Sequence, residues 1–280
     1  MIALTGASGG IGGRVANALA GRELRFIVRD ASRAPAGGEI AVAEYRDGEA
    51  MCAALAGAET VFLVSAAESR DRVAEHISAV DACAAVGVRR IVYLSFMGAA
   101  PDAVFTFARD HAATEERIRA TGIEHTFLRS CMYADYVPVL ADPAGVIRGP
   151  AGRGRVAWVA RDDVADVAAA VLAGSGHSGR TYDSTGPEAL TMEESAALLS
   201  EAVGRPFAYE EETLEQARES RRPSGHPDWE IEGWVTSYAQ IAEGVLAQVS
   251  DTVQRIAGHP PRSLRDVLRE HPESYAHLRR

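Results

Sequence analysis

The chain reads Thr5-Gly6-Ala7-Ser8-Gly9-Gly10-Ile11-Gly12-Gly13 between an apolar run over residues 2–5 and a segment of helical period carrying Ile11, Val15, Ala18 and Leu19. Glycines at 6, 9 and 12 make G-x-x-G-x-x-G, set between a strand and a helix. Such a turn needs backbone that side chains would obstruct. The first glycine permits the tight turn, the second a close approach of backbone to a diphosphate, and the third close packing of helix on strand. The helix start then offers unpaired N–H groups and a partial positive charge. In this setting the pattern predicts a dinucleotide site built from Gly6, Ala7, Ser8, Gly9, Gly10, Ile11 and Gly12.

The rest of the first half supports that context. Strands are expected at residues 24–28, 39–43, 60–64, 91–94 and 126–128. Helices are expected at 49–56, at 107–121, and on a face made by Val73, Ile77, Val80 and Ala84, with stops at Gly57, Gly87 and Gly122. Strands alternating with helices predict right-handed crossovers and an α/β, doubly wound, mostly parallel sheet, with ligands beyond the strands' carboxyl ends. After residue 130 the pattern loosens. Residues 138–155 read as loops. Helices are expected at 163–173, capped by Asp162 or Asp163, and at 191–203, where Thr191 and Glu194 have capping-box spacing. From residue 210 onward the chain reads as charged and mostly helical. The expected division is a dinucleotide domain over 1–130, to which 156–190 returns, and a small, mostly helical substrate lobe from 131–155 and 190–280.

The second strand speaks to the kind of dinucleotide. Its end reads Ile27-Val28-Arg29-Asp30, followed by Ser32 and Arg33. A guanidinium there suits the 2′-phosphate of NADP(H), whereas an acid suits the free ribose of NAD. Arg29, with Arg33, favours NADP(H). Asp30 is the rival reader, or the cap of a short helix.

Composition narrows the chemistry. The 280 residues are 47% hydrophobic and carry a net charge of −10, a poor match for nucleic acid or an anionic membrane. All 29 basic residues are arginine, which excludes Schiff-base and P-loop lysines. Three scattered cysteines give no disulfide framework or zinc motif. With no expected membrane span or leader, the expectation is a cytoplasmic protein acting on a small molecule, without a metal. Asp162, Asp163 and Asp166 read as helix-start acids rather than ligands. A homo-oligomer stays open.

The glycine turn resembles that of the atypical short-chain dehydrogenase/reductases, NmrA-like branch. So do Ile91-Val92-Tyr93-Leu94-Ser95, His111 to Glu115, Gly122-Ile123, the strand 126–129 and the stretch from Gly179 to Thr191. Among members, the resemblance is to bacterial NAD(P)H:quinone oxidoreductases. It implies a Rossmann-like fold and hydride transfer from NADP(H). Many short-chain reductases carry Tyr-x-x-x-Lys after strand five; Phe107 and His111 stand in those places here. A phenyl ring gives no proton, so the acceptor is expected to be a quinone or related conjugated carbonyl entering between Phe96, His111 and Tyr133. Ser95, His111 and Tyr133 are the candidate catalytic residues, and Ser65, Ala66, Ser95 and His111 the candidate nicotinamide-side contacts. Two alternatives stay open: a tailoring reductase or isomerase of an aromatic metabolite, and a non-catalytic NADP-sensing regulator.

Overall fold

The computed structural model describes residues 1–279. Its strands are β1 (Ile2–Thr5), β2 (Leu24–Val28), β3 (Glu39–Val42), β4 (Thr60–Val64), β5 (Arg90–Phe96), β6 (Glu124–Ser130), β7 (Val146–Gly149), β8 (Arg180–Ser184) and β9 (Ala208–Glu211). Seven of them form one sheet in the order β3-β2-β1-β4-β5-β6-β8, and every pairing in it is parallel.

Alternation along the strands sorts side chains into two layers. Leu4, Phe26, Phe62, Val92, Leu94 and Leu128 face one way. There they meet α1 (Gly10–Ala18) and α5 (Arg161–Ala173). Ala3, Ile27, Val61, Leu63, Ile91, Tyr93 and Phe127 face the other way. On that side lie α2 (Gly48–Leu55), α3 (Arg72–Ala85) and α4 (Thr106–Thr121). The strand order reverses between β1 and β4, so the loops after these strands diverge and leave a crevice at the carboxyl edge.

The later chain supplies α6 (Met192–Val203), α7 (Leu214–Arg221), α8 (Asp228–Ala242) and α9 (Leu264–Glu270). Thr191 and Glu194 close the expected capping box on α6. Where residues 138–155 read as loops, β7 instead pairs in parallel with β9 as a two-stranded sheet. Each strand has only four residues, too few for period-two alternation to register. These later segments share one core with the main sheet, since Tyr238, Leu246, Leu268 and Leu278 pack in the cluster that holds Leu4 and Val15.

Two further details differ from expectation. The buried face of α3 is Arg72, His76, Ala79, Val80 and Cys83, while Val73 and Ile77 are half-buried and Ala84 is exposed. Buried polar residues displaced the apolar period there. Helix α5 begins two residues early, at Arg161 after Ala160, with no side-chain cap. Asp162 instead pairs with Arg14 at 2.5 Å, and Asp163 with Arg262.

Candidate active site

The glycine turn has the shape its sequence demands. Gly6 adopts φ +60, and a Cβ there would stand 3.1 Å from the Val64 Cβ. A Cβ at Gly12 would stand 2.2 Å from the Gly6 carbonyl oxygen, so the third glycine protects the turn's own backbone. Its closure is a Gly9 N–H to Gly6 C=O bond of 2.8 Å. Beside the turn lies a cavity of about 430 Å³, lined by Gly6, Ser8 and Gly9, by the ends of β2 and β4, and by the stretches after β3 and β4.

Arg29 stands on the wall of this cavity. Asp30 does not compete for that place, because its carboxylate accepts from the Ser32 N–H at 2.9 Å and the Ser32 hydroxyl at 2.7 Å, capping a short 3-10 helix. Arg33 ends that helix, exposed and away from the cavity lining. The partner near Arg29 is Arg46, which the sequence did not single out; it pairs with Glu44 at 2.5 Å and lines the same cavity. Both follow β3, a strand with little pattern. Tyr45 between them braces the switch point. Its hydroxyl donates to the Val64 carbonyl at 2.6 Å and touches the Thr5 hydroxyl at 2.5 Å. Thr5 in turn donates to the Phe62 carbonyl and accepts from the Val64 N–H.

Ser65 and Ala66 follow β4 on the cavity wall. The Ala66 backbone is held at both its N–H and its carbonyl. Its N–H donates to His76 Nε2 at 2.8 Å, and its carbonyl accepts from Arg72 Nε at 3.0 Å. His76 Nε2 accepts, so the proton sits on Nδ1 and points to the Thr114 hydroxyl at 2.8 Å. Burial, then the nearby Arg72 charge, pushes the His76 pKa down to about 3, so this ring is neutral in the folded protein.

The structure draws Ser95 and His111 inward. The Ser95 hydroxyl donates to the Glu115 carboxylate at 2.7 Å. Glu115, 1% exposed, also takes a two-pronged ion pair from Arg129. His111 lies behind the strand edge, with Nδ1 2.9 Å from the Tyr93 hydroxyl and Nε2 3.3 Å from Arg72. Arg72 can only donate, so Nε2 accepts and the ring is neutral. Burial and the Arg72 charge hold its pKa far below the ordinary range. Neither residue lines the cavity; His111 contacts Arg72, which in turn bonds the Ala66 carbonyl on the cavity wall.

Tyr133 does reach the carboxyl edge. Its hydroxyl lies 3.2 Å from Ser130 Oγ at the end of β6, and burial raises its pKa, so the phenol keeps its proton at neutral pH. Its ring stacks on Tyr136 at 6.3 Å. Next to it runs an aromatic row: Phe96 to Phe105 at 5.2 Å, Phe105 to Phe107 at 5.5 Å, and Phe107 to Trp229 of α8 at 6.1 Å. Phe107, at the usual tyrosine place, is thus a packed wall residue. Spacing alone could not show that a residue more than a hundred positions away completes the row.

Asp163, Asp166 and His259 stand together as metal ligands would. Arg262 occupies the same spot, pairing with Asp163 and lying 3.7 Å from Asp166. A guanidinium there neutralises the carboxylates.

Comparison with known proteins agrees with this geometry. The NAD(P)H-binding family model matches residues 6–174. The (4-alkanoyl-5-oxo-2,5-dihydrofuran-3-yl)methyl phosphate reductase of Streptomyces griseus is 37% identical, over 99% of both chains. The NAD(P)H azoreductase of Xenophilus azovorans is 31% identical, over 98% of this chain and 99% of its own. The NADPH complex of an Escherichia coli NADPH-dependent quinone oxidoreductase superposes with a TM-score of 0.89 at 30% identity, over 96% of this chain and 99% of the other. On the glycine turn, the parallel sheet and a match that covers more than half its length, this chain belongs to the NAD(P)H-binding family.

Proposed function

We propose that this protein is an NADPH-dependent oxidoreductase that reduces a small conjugated carbonyl compound, a quinone or an enone. The observation that carries this reading is the nearness of two surfaces at one sheet edge: the glycine-walled cavity includes Ser65 and Ala66 after β4, and the aromatic row of Phe96, Phe105, Phe107 and Trp229 starts at the end of the neighbouring strand β5. The glycine turn and helix α1 would hold the diphosphate. Arg29 and Arg46 would face the 2′-phosphate. When bound, the nicotinamide supplies the hydride.

The chain's own residues orient and protonate. Flat conjugated acceptors suit an aromatic wall. Such an acceptor spreads the incoming charge onto oxygen, so it needs less acid help than an isolated ketone. Tyr133, protonated and at the edge, is the proton donor in this reading, with water as its replenisher. Ser95 and His111 position the edge rather than touch the acceptor. The relatives support this class, since their names describe reduction of a quinone, an azo compound and an alkanoyl dihydrofuranone phosphate. Among the described residues no helix is long and apolar enough to cross a membrane.

The test is NADPH oxidation against a panel of quinones, enones and saturated ketones. Turnover confined to the first two classes is expected. Tight NADPH binding with no turnover on any member would instead favour the regulatory alternative. Arg29→Ala should weaken NADPH about tenfold or more while leaving NADH nearly unchanged, as loss of a charge-assisted bond to phosphate requires. Equal effects on both coenzymes in a calorimetric titration would remove Arg29 from the 2′-phosphate site.

A further inference from the structure

Among the described residues Arg161 is a cation without an ion-pair partner, set against two aromatic rings at the glycine turn. Its guanidinium carbon lies 4.6 Å from the centre of the Tyr136 ring and 5.5 Å from that of Tyr133. Its Nη1 comes within 3.6 Å of the point where a Gly10 Cβ would be, so the absence of a side chain at 10 leaves the charge open to the turn. The neighbouring arginines are neutralised: Arg14 pairs with Asp162 at 2.5 Å and Arg262 with Asp163. Among the described residues the Arg161 side chain has no carboxylate partner. Asp135 accepts instead from the Arg161 backbone N–H at 3.1 Å and lies 4.0 Å from Arg14. Half-buried, Arg161 is held in place by stacking while its N–H fork remains unspent.

We propose that Arg161 binds a phosphate group at the junction between the glycine turn and Tyr133. A planar fork stacked on aromatic rings is preorganised for two parallel bonds to a phosphate. Two phosphates could take that place: the diphosphate of the coenzyme, or a phosphate carried by the acceptor. The inference rests on the reading of the protein as an NADPH-dependent reductase and adds to it a phosphate-reading residue that no motif marks.

The experiment compares the wild type with Arg161→Gln and Arg161→Lys. NADPH affinity is read by calorimetry. KM and kcat are read for a hydroxymethyl enone and for its phosphate monoester, and circular dichroism checks the fold. A rise of about tenfold or more in the NADPH Kd of Arg161→Gln places the coenzyme diphosphate at Arg161. A comparable rise in KM for the monoester over the free alcohol, at unaltered NADPH Kd, places the acceptor's phosphate there. In either case Arg161→Lys should recover part of the loss, because it restores charge without the fork. If all constants of a folded Arg161→Gln match the wild type, the inference is overturned and the reductase reading stands. If the wild type itself fails to bind NADPH, both fall.

Discussion

Gly12 has no room for even a methyl group, because the added carbon would overlap the Gly6 carbonyl at 2.2 Å. Gly12→Ala should therefore open the turn. The expected result is a stability loss of about 1–3 kcal/mol by denaturant titration, together with an NADPH Kd raised well beyond what that loss explains. A variant that loses stability but binds normally would show that the turn adapts. At this scale the sequence was informative wherever chemistry is local. The glycine spacing and the place of Arg29 after β2 were legible, and the structure sets Arg29 on the cavity wall. Arg46 and Tyr45 were not, since they follow a weak strand and matter only because that strand lies beside β2. The inward turn of His111 was equally hidden. It depends on Tyr93, eighteen positions away, and on Arg72 from another helix.

Helices α3 and α4, which share an apolar layer, also meet through buried polar groups. His76 bonds to Thr114, and Arg72 reaches His111 and lies 3.5 Å from Asp110. The apolar period of α3 pointed elsewhere for this reason: its true inner face carries a histidine and an arginine, which periodicity scores as outer. The helix ends were legible because Gly57, Gly87 and Gly122 all take positive φ, a conformation glycine adopts at little cost. The buried pair has a consequence for pH. An unfolded histidine titrates near 6.5, whereas His76 in the fold is pushed down to about 3 and His111 also lies low. Below pH 6.5 the unfolded chain takes up protons that the folded chain refuses. Stability from these two rings is therefore complete above 6.5 and falls as pH drops toward 3, at a limiting slope of about 1.4 kcal/mol per pH unit for each. His271 works against this trend. Burial pushes its pKa down, but bonds to Asp162 and Glu273 outweigh that and hold it up. Urea midpoints between pH 7 and pH 4 should show the net loss, and His76→Gln should flatten the slope whatever its absolute stability. An unchanged slope would mean that His76 titrates normally in the fold.

The last segment is tied into the whole molecule. Tyr275 and Leu278 are 5% and 3% exposed. Arg205 donates to the Leu278 carbonyl at 2.9 Å, and His271 bonds to Asp162, the partner of Arg14 on α1. Ending the chain after residue 270 would strip two buried side chains from the core, at a cost of about 1.5–3 kcal/mol each. It would also remove the His271 bond to Asp162, the carboxylate that pairs with Arg14 beside the glycine turn. Thermal unfolding should shift markedly lower and NADPH binding should weaken with it; binding unaffected in a destabilised truncation would separate the two roles. Such long-range ties lie beyond any reading of local pattern, which delivered the mostly parallel sheet but not what the later chain fastens. The Ala66 backbone, gripped on its N–H by His76 and on its carbonyl by Arg72, has a further consequence for binding. Fixed at both groups, this stretch of backbone would have little conformational freedom left to lose when a ligand settles against the cavity wall it forms.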